Sequence, residues 1–421
     1  MLDIKFIKEN PDLIREAARK KCINFNVDEL ISVEGERMEH LSLVENLRAE
    51  QNKITDKISQ TTDATVREQL ISDMREFKEH LKEKEEKLKE VMKKWQALML
   101  QVPNIPDMSV PEGTDDADNQ EIKKWGTAPA FDFEPKDHIV LMENLDLVDF
   151  ERGTKVSGFR GYFLKNEGAQ IEMALWQYAV EFLTARGYKF MIAPSLVRRE
   201  PLVGTGMLPQ SEEDLYKVGE NEYLAGTAEV PTMGYFMDEV LPKEKLPQKI
   251  LAFSSCFRAE AGKHGKDVKG LIRVHEFFKM EQVILCEADH QESVKYHEEV
   301  LKNSEEFVQS LGLHYRVVVN CGGDLGLGQV KKYDIEVWMP TQQKYRETHS
   351  ASYFHDFQTR RLNIKYKDTD DKSRYAHSLN NTLVATPRII ACIVENCQQA
   401  DGSIKIPEVL QKYIGKDFIK K

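Results

Sequence analysis

Two patterns of hydrophobic spacing divide the chain. Leu30, Leu41, Val44, Leu47, Ile54 and Ile58 mark a run that ends near Gln60, and Leu70, Met74, Phe77, Leu81, Leu88, Val91, Trp95 and Leu98 mark a second from about Thr65 to Leu100. In the second run the steps alternate between four and three, interrupted only by Lys84. On a helix such positions share one stripe, and over several heptads the stripe becomes a coiled-coil seam. The polar segment Thr61-Thr62-Asp63-Ala64 reads as a hairpin tip. The spacing therefore predicts two antiparallel helices forming an arm over residues 28–100. Asn10-Pro11 starts an earlier helix carrying Leu13, Ile14 and Ala17. By pattern alone the arm is first of all a dimerisation or spacer element. Lys82, Lys84, Lys87, Lys89, Lys93 and Lys94 offer a stripe for phosphates, but a lysine-rich face is more often just solvated.

Past Val102 the pattern changes. Residues 103–131 are dominated by proline, glycine and acidic side chains and are expected to be a linker. From residue 132 to 421 glycines return, and strand-like runs such as Tyr315–Asn320 and Tyr333–Met339 mix with helical stretches. The expected organisation is a helical domain over 1–102, a linker over 103–131 and a larger α+β domain over 132–421.

Composition narrows the classes. The 421 residues are 41% hydrophobic and 31% charged, with a formal net charge of −11. That balance suits a protein with a real core and argues against coating nucleic acid through bulk charge, while leaving room for a local basic patch. The six cysteines are scattered, with no CxxC pair and no zinc-ligand spacing, so reduced thiols in a cytosolic enzyme are expected. No apolar run approaches the roughly 20 residues of a membrane span. The opening MLDIKFIKENPDLI lacks the apolar core of a signal peptide.

The densest chemistry lies between Phe257 and Leu285, FRAEAGKHGKDVKGLIRVHEFFKMEQVIL. It reads as two strands joined by a loop rich in glycine and lysine. Alternation puts Arg258 and Glu260 on one face of the first strand, and Arg273, His275, Phe277, Lys279 and Glu281 on one face of the second. Such a surface offers arginines for phosphate, a ring for a base and a carboxylate for an amine.

This block and four others, in order, resemble seryl-tRNA synthetase, a class II aminoacyl-tRNA synthetase. GYKFMIAPSLVRREPLVGTGMLP (Gly187–Pro209) looks like motif 1, with Pro194 following the strand of the dimer interface, and LAGTAEVP (Leu224–Pro231) looks like the serine-specific TxE loop. The Phe257 block looks like motif 2. Tyr333–Arg361 resembles the segment that supplies metal and ATP ligands, and Leu379–Gly415 looks like motif 3. The resemblance covers the whole chain and implies an antiparallel β-sheet flanked by helices, preceded by a coiled-coil tRNA-binding arm.

What the resemblance implies for the site can be weighed against the reaction. Adenylation joins two anions, a serine carboxylate and the α-phosphate of ATP, so cationic clamps are required. Arg258 would bridge the two, since a planar fork suits both, and Arg388 would hold the γ-phosphate. The ATP site would further use Ala259, Glu260 on the adenine amino group, Phe277 on its face, Arg273, Val274, Glu347, Thr348, His349 and Ser350. Magnesium takes oxygen ligands, and Glu347 and Ser350 match the family's pair. Serine would be held by Thr227, Ala228, Glu229, Arg258, Glu281, Asn380 and Thr382, with Glu229 near the amino group and Glu281 and Thr382 on the hydroxyl. An arbitrary glutamate is most often a surface or salt-bridged carboxylate; the matched motifs reverse those odds.

Two residues depart from the family pattern. His349 stands where a second serine is usual and is expected to point away from the metal or to meet a phosphate, leaving activity intact. Lys263 and His264 add positive potential to the motif 2 loop, where the resemblance brings the tRNA end. The implied function is a cytoplasmic, homodimeric serine–tRNA ligase using ATP and Mg2+, with selenocysteine tRNA as an additional acceptor left open. The alternatives are a paralogue that loads an amino acid onto a carrier protein and a non-catalytic coiled-coil scaffold. The full-length arm, the TAE loop and Thr382 weigh against the first, and Arg258 and Arg388 against the second.

Overall fold

A computed structural model describes residues 1–261, 265 and 267–421, so Lys263 and His264 lie outside the described residues. The chain divides into two compact units, residues 1–19 with 23–103 and residues 20–22 with 104–421.

The first unit is helical: α1 (Ile4–Glu9), α2 (Pro11–Lys20), α3 (Val27–Gln60) and α4 (Ala64–Met99). The long pair starts where its caps dictate. The Asn26 side chain accepts from the backbone N–H groups of Asp28 and Glu29, and Asp63 does the same for Thr65 and Val66. The turn at Thr61–Asp63 is thus stop and start at once. α3 and α4 pack against each other along the predicted seam. Val44, Met74, Leu81 and Val91 are buried there, while Ile54, Ile58, Leu70, Phe77 and Leu88 are half-buried, as a two-helix rod allows. Lys84, at the break in the seam, turns its ammonium toward Glu83 at 2.9 Å. Arg48–Glu85 and Lys94–Glu29 cross between the helices at 2.7 and 3.2 Å. At the base, Ile7, Ile14, Val27, Leu30, Met99 and Val102 close a small core.

The second unit is built on an eight-stranded sheet: β1 (Gln120–Trp125), β2 (Lys189–Ile192), β3 (Gln248–Phe257), β4 (Glu276–Cys286), β5 (Tyr315–Val319), β6 (Lys331–Met339), β7 (Lys344–His355) and β8 (His377–Ala385). Their order is β1-β5-β6-β7-β8-β4-β3-β2. Every pair is antiparallel except β2–β3. Flanking helices α5 (Asn166–Thr184), α7 (His290–Ser310) and α8 (Thr386–Asn396) bury the main core with the inner faces of the strands, while the short α6 (Glu229–Tyr235) packs Val230 and Met233 into two smaller clusters.

Two features differ from the sequence expectation. The stretch 103–131, read as a linker, contributes β1, which pairs with β5 at one edge of the sheet. Its QEIKKW is almost wholly exposed, so no apolar alternation announces it. The faces expected around motif 2 also end sooner than alternation suggests. β3 stops at Phe257, and Glu260 takes a left-handed φ of 55°, so Arg258 and Glu260 belong to the loop that leaves the strand. At the opposite edge from β1, β2 leaves Phe190 and Ile192 exposed, the latter by 74%.

Candidate active site

The central strands β4, β7 and β8 form the floor of one cavity of about 380 Å³. On β4, Phe277, Lys279 and Glu281 line it at alternate positions, opposite Cys256, Ser254 and Ala252 of β3. A bulge between Met280 and Glu281 shifts the register against β8 and sets Glu281 across from Thr382.

At the inner end the polar groups converge on one carboxylate oxygen. Glu281 Oε2 lies 3.3 Å from Thr227 Oγ1, 3.3 Å from Lys279 Nζ and 3.5 Å from Thr382 Oγ1. Thr227 also accepts from Lys279 Nζ and from the backbone N–H of Glu229, both at 3.3 Å. Glu229 begins α6 and is buried; its Oε1 accepts from Gln358 Nε2 at 2.6 Å, while Gln358 Oε1 accepts from Ser378 Oγ at 2.7 Å. Burial pushes the Glu229 carboxyl up to about 7, and the neighbouring Glu281 charge adds to the rise, while Gln358, Lys279 and Asn380 pull it back. Asn380 and Thr382 lie on the same cavity wall.

The outer part is cationic. Arg258 Nε donates to Gly226 O at 3.1 Å, and its guanidinium lies 5.5 Å from the Phe277 ring centre. Arg388, in the first turn of α8, donates to Ile272 O at 3.1 Å and to Glu347 O at 2.8 Å. Its Nη1 is 3.5 Å from Glu347 Oε2. Arg273 pairs with Glu260, and its Nε approaches Asp267 at 3.8 Å. Phe277 rests on Cys256, Val274, Ala385 and Tyr162, an apolar bed beside these charges.

The stem that returns from the motif 2 loop is pinned from behind. Gly270 has φ +91°, and a Cβ there would lie 2.4 Å from His138 Nε2. That nitrogen accepts from the Leu271 N–H at 3.2 Å, while Nδ1 meets Glu395 of α8 at 2.8 Å. The backbone that carries Arg273 is thereby fixed to the helix that carries Arg388.

Glu347 is half open to the cavity. Enclosure by protein would raise its carboxyl, but the charges of Arg388, Lys332, Arg258 and Lys279 outweigh that and hold it below the usual range. Asp334, paired with Ser350 across β6 and β7, is pushed up by burial and by the Glu347 charge, with Lys332 opposing. An ionised carboxylate and a hydroxyl at one open spot form an all-oxygen donor set, which fits Mg2+ when phosphates supply the remaining ligands.

Of the residues expected at the site, the structure gathers Thr227, Glu229, Arg258, Glu260, Arg273, Val274, Phe277, Glu281, Glu347, Thr348, Ser350, Asn380, Thr382 and Arg388 around this cavity. Ala228, Ala259 and His349 do not line it. Ala228 is fully buried beneath the loop, and Ala259 uses its N–H on Asp214 O. His349 points into the protein: Nε2 meets Leu383 O at 2.9 Å, Nδ1 meets Thr348 Oγ1 at 2.8 Å, and burial lowers the ring to about 4. His275 likewise turns to Arg258 O at 2.8 Å. Sequence reasoning assigned no role to Lys279 or Lys332 and missed Gln358. Lys279 shares the alternation of Phe277 and Glu281, which was the available signal; Gln358 carries none, because only folding brings it to Glu229.

Family models match both parts of the chain: a seryl-tRNA synthetase N-terminal domain over residues 1–106, and a tRNA synthetase class II core domain (G, H, P, S and T) over residues 214–397. The chain is 45% identical to a serine–tRNA ligase of Deinococcus radiodurans, covering 99% of this chain and 98% of the relative. It is 42% identical to a serine–tRNA ligase of Thermodesulfovibrio yellowstonii over 100% of both. The fold matches the crystal structure of a seryl-tRNA synthetase from Pyrococcus horikoshii complexed with ATP, with TM-score 0.88, 40% identity, and coverage of 100% of this chain and 99% of that one. A cytoplasmic serine–tRNA ligase from Naegleria fowleri in complex with AMP matches with TM-score 0.85, 34% identity, and coverage of 100% and 99%.

Proposed function

The chain belongs to the seryl-tRNA synthetase family, and from that premise we infer how its cavity performs the family's reaction. The activity is ATP-dependent ligation of serine to tRNA. The assignment of individual residues is our reading. The observation that carries it is one cavity with a polar pocket at its inner end and three arginines around its mouth.

Serine enters with its ammonium toward Glu229 and its hydroxyl toward Glu281 and Thr382, at the end where Thr227 and Asn380 complete the wall. Alanine would leave these buried acceptors unpaired, a penalty of about 1–3 kcal/mol, and a threonine methyl would meet a closed wall. The serine carboxylate then faces Arg258, whose fork also reaches the α-phosphate. The carboxylate is already ionised, so the first step needs no general base; cancelling anion repulsion and holding an in-line approach suffice. Phe277 supplies the adenine platform, Glu260 and Arg273 flank it, and Arg388 takes the γ-phosphate. Glu347 and Ser350 would hold Mg2+, whose charge offsets that of the phosphates and pyrophosphate. In the second step a ribose hydroxyl of the tRNA 3′ end displaces AMP from the adenylate.

The arm is proposed to read the shape of serine tRNA, since a helical rod suits backbone and shape recognition better than base readout. Lys82 and Lys93 are exposed on it, whereas Lys87, Lys89 and Lys94 pair with Glu90, Glu86 and Glu29. A homodimer through the motif 1 region is part of the same proposal. It is supported by the open edge strand β2, whose apolar Phe190 and Ile192 face solvent; an uncovered apolar edge invites a partner. We place the enzyme in the cytoplasm, where its tRNA is used. Among the described residues no helix is long and apolar enough to cross a membrane.

The test is excision of residues 40–90, which leaves Leu30, Trp95 and Met99 at the base of the arm. Serine-dependent pyrophosphate exchange is expected to stay within about threefold while charging of serine tRNA falls by about 100-fold or more, as when contacts to a nucleic-acid backbone are lost. Loss of both activities together would make the arm structural. Exchange with serine but charging of a carrier protein instead of tRNA would favour the carrier-ligase reading.

A further inference from the structure

Lys279 is a charged side chain that the reaction described above leaves unused. It lies on β4 between Phe277 and Glu281, and its side chain is only 8% exposed. Its Nζ is 3.3 Å from Glu281 Oε2 and 3.3 Å from Thr227 Oγ1, and those two oxygens are themselves 3.3 Å apart. One ammonium, one carboxylate oxygen and one hydroxyl therefore form a closed triangle at the inner end of the cavity. Every hydrogen bond to the Glu281 carboxylate among the described residues falls on Oε2, so Oε1 is left for a ligand. An isolated lysine this deep is costly unless it has such partners.

We propose that Lys279 is a specificity-determining positioning residue: its ammonium clamps Oε2 of Glu281 so that Oε1 presents a fixed, charged acceptor to the substrate hydroxyl, and it supplies the counter-charge that lets Glu229 and Glu281 both act as carboxylates in one enclosed pocket. The proposal rests on the serine-pocket reading above. Its physical basis is a count of like charges. Glu229 and Glu281 face the same small volume and repel, and Lys279 is the cation set between them and the strand. The other charged or titratable groups facing this triangle are Cys256 and Arg258 from β3 and the segment after it, and Glu347 from β7; Lys332 of β6 and Arg388 of α8 lie on the same cavity. Arg258 is committed to Gly226 O and the mouth, and Arg388 and Lys332 sit with Glu347 and Asp334. None of them touches Glu281. With the lysine removed, the two inner carboxylates compete for one proton, and the ammonium or the hydroxyl of serine loses its acceptor.

Lys279→Met tests this in the full-length enzyme by serine-dependent pyrophosphate exchange. At pH 7 the serine KM is expected to rise by about tenfold or more, with the ATP KM within about twofold. Raising the pH to 9 should restore most of the loss, because a raised carboxyl ionises again as pH climbs through it. The preference for serine over alanine should fall in parallel. A merely structural lysine predicts a loss that ignores pH and reaches ATP as well; that result, or an unchanged serine KM, overturns the proposal. Glu281→Gln and the double variant complete the test. In the Glu281→Gln background, Lys279→Met should cost little further, and if Lys279→Met alone does not fold, the uncharged pair should. Additive losses, or a double variant that also fails to fold, would refute the clamp. An unchanged serine KM in Glu281→Gln alone would overturn the pocket reading itself, which separates the two failures.

Discussion

The arm and the cavity both pair basic side chains with glutamates, under opposite conditions. Across the arm, Arg48 and Glu85 meet at 2.7 Å with 62% and 37% of their side chains exposed. In the cavity, Lys279 and Glu281 meet at 3.3 Å with 8% and 4% exposed. The arm pair is the shorter, yet solvent screens it, and such pairs contribute roughly 0–1 kcal/mol. The cavity pair is longer and far more consequential, because neither partner has water to fall back on. Distance alone therefore misranks them. What a charge is worth here is decided by enclosure, and the arm can be densely charged without any one pair mattering much.

The largest expected effect that could break this contrast is at Arg258. Replacing it with Ala should lower serine-dependent pyrophosphate exchange by about 1000-fold, since an anion clamp in an enclosed site is worth several kcal/mol. A loss of tenfold or less would mean the mouth of the cavity is screened like the arm. A smaller effect is expected from pH. Because burial raises Glu229 to about 7, its ionised form, the acceptor for the substrate ammonium, is gained as pH rises. The kcat/KM for serine in the exchange reaction should then climb about tenfold per unit below pH 7 and level off above it. A profile flat from pH 5.5 to 8 would remove Glu229 from that role. The smallest effect belongs to the arm: Arg48→Ala should change the unfolding free energy by less than about 1 kcal/mol in a denaturant titration. A cost above about 2 kcal/mol would show that the exposed pair carries more than its surroundings allow.

The two regions also differ in how far they could be read in advance. The arm was legible almost to the residue, because its stability is a matter of local period. Leu81 and Val91 are buried where steps of three and four put them, and the caps Asn26 and Asp63 are short-range signals. Motif spacing likewise brought Arg258, Phe277, Glu281, Thr382 and Arg388 to one cavity. Three placements were less legible. The exposed β1 had no alternation to reveal it inside a proline-rich stretch. His349 is adjacent in sequence to ligand candidates but on the other face of β7, against Leu383. Gln358 reaches Glu229 across 129 residues of chain, a contact that composition and spacing do not encode.

By itself, then, the sequence determined the class of the protein, the coiled-coil arm, the order of the motifs and the types of side chain available for adenylation. These follow from local periodicity and residue chemistry, which act over a few turns or a few strand positions. Only the tertiary structure decided which of those side chains share a volume. The bulge before Glu281 sets that carboxylate opposite Thr382, the α6 start buries Glu229 against Gln358, and the alternation of β4 turns Lys279 inward beside them. Those placements depend on register between strands far apart in the chain, and on exclusion of water from the space between them. Both are properties of the packed sheet, and both are what give the inner carboxylates and their lysine their leverage.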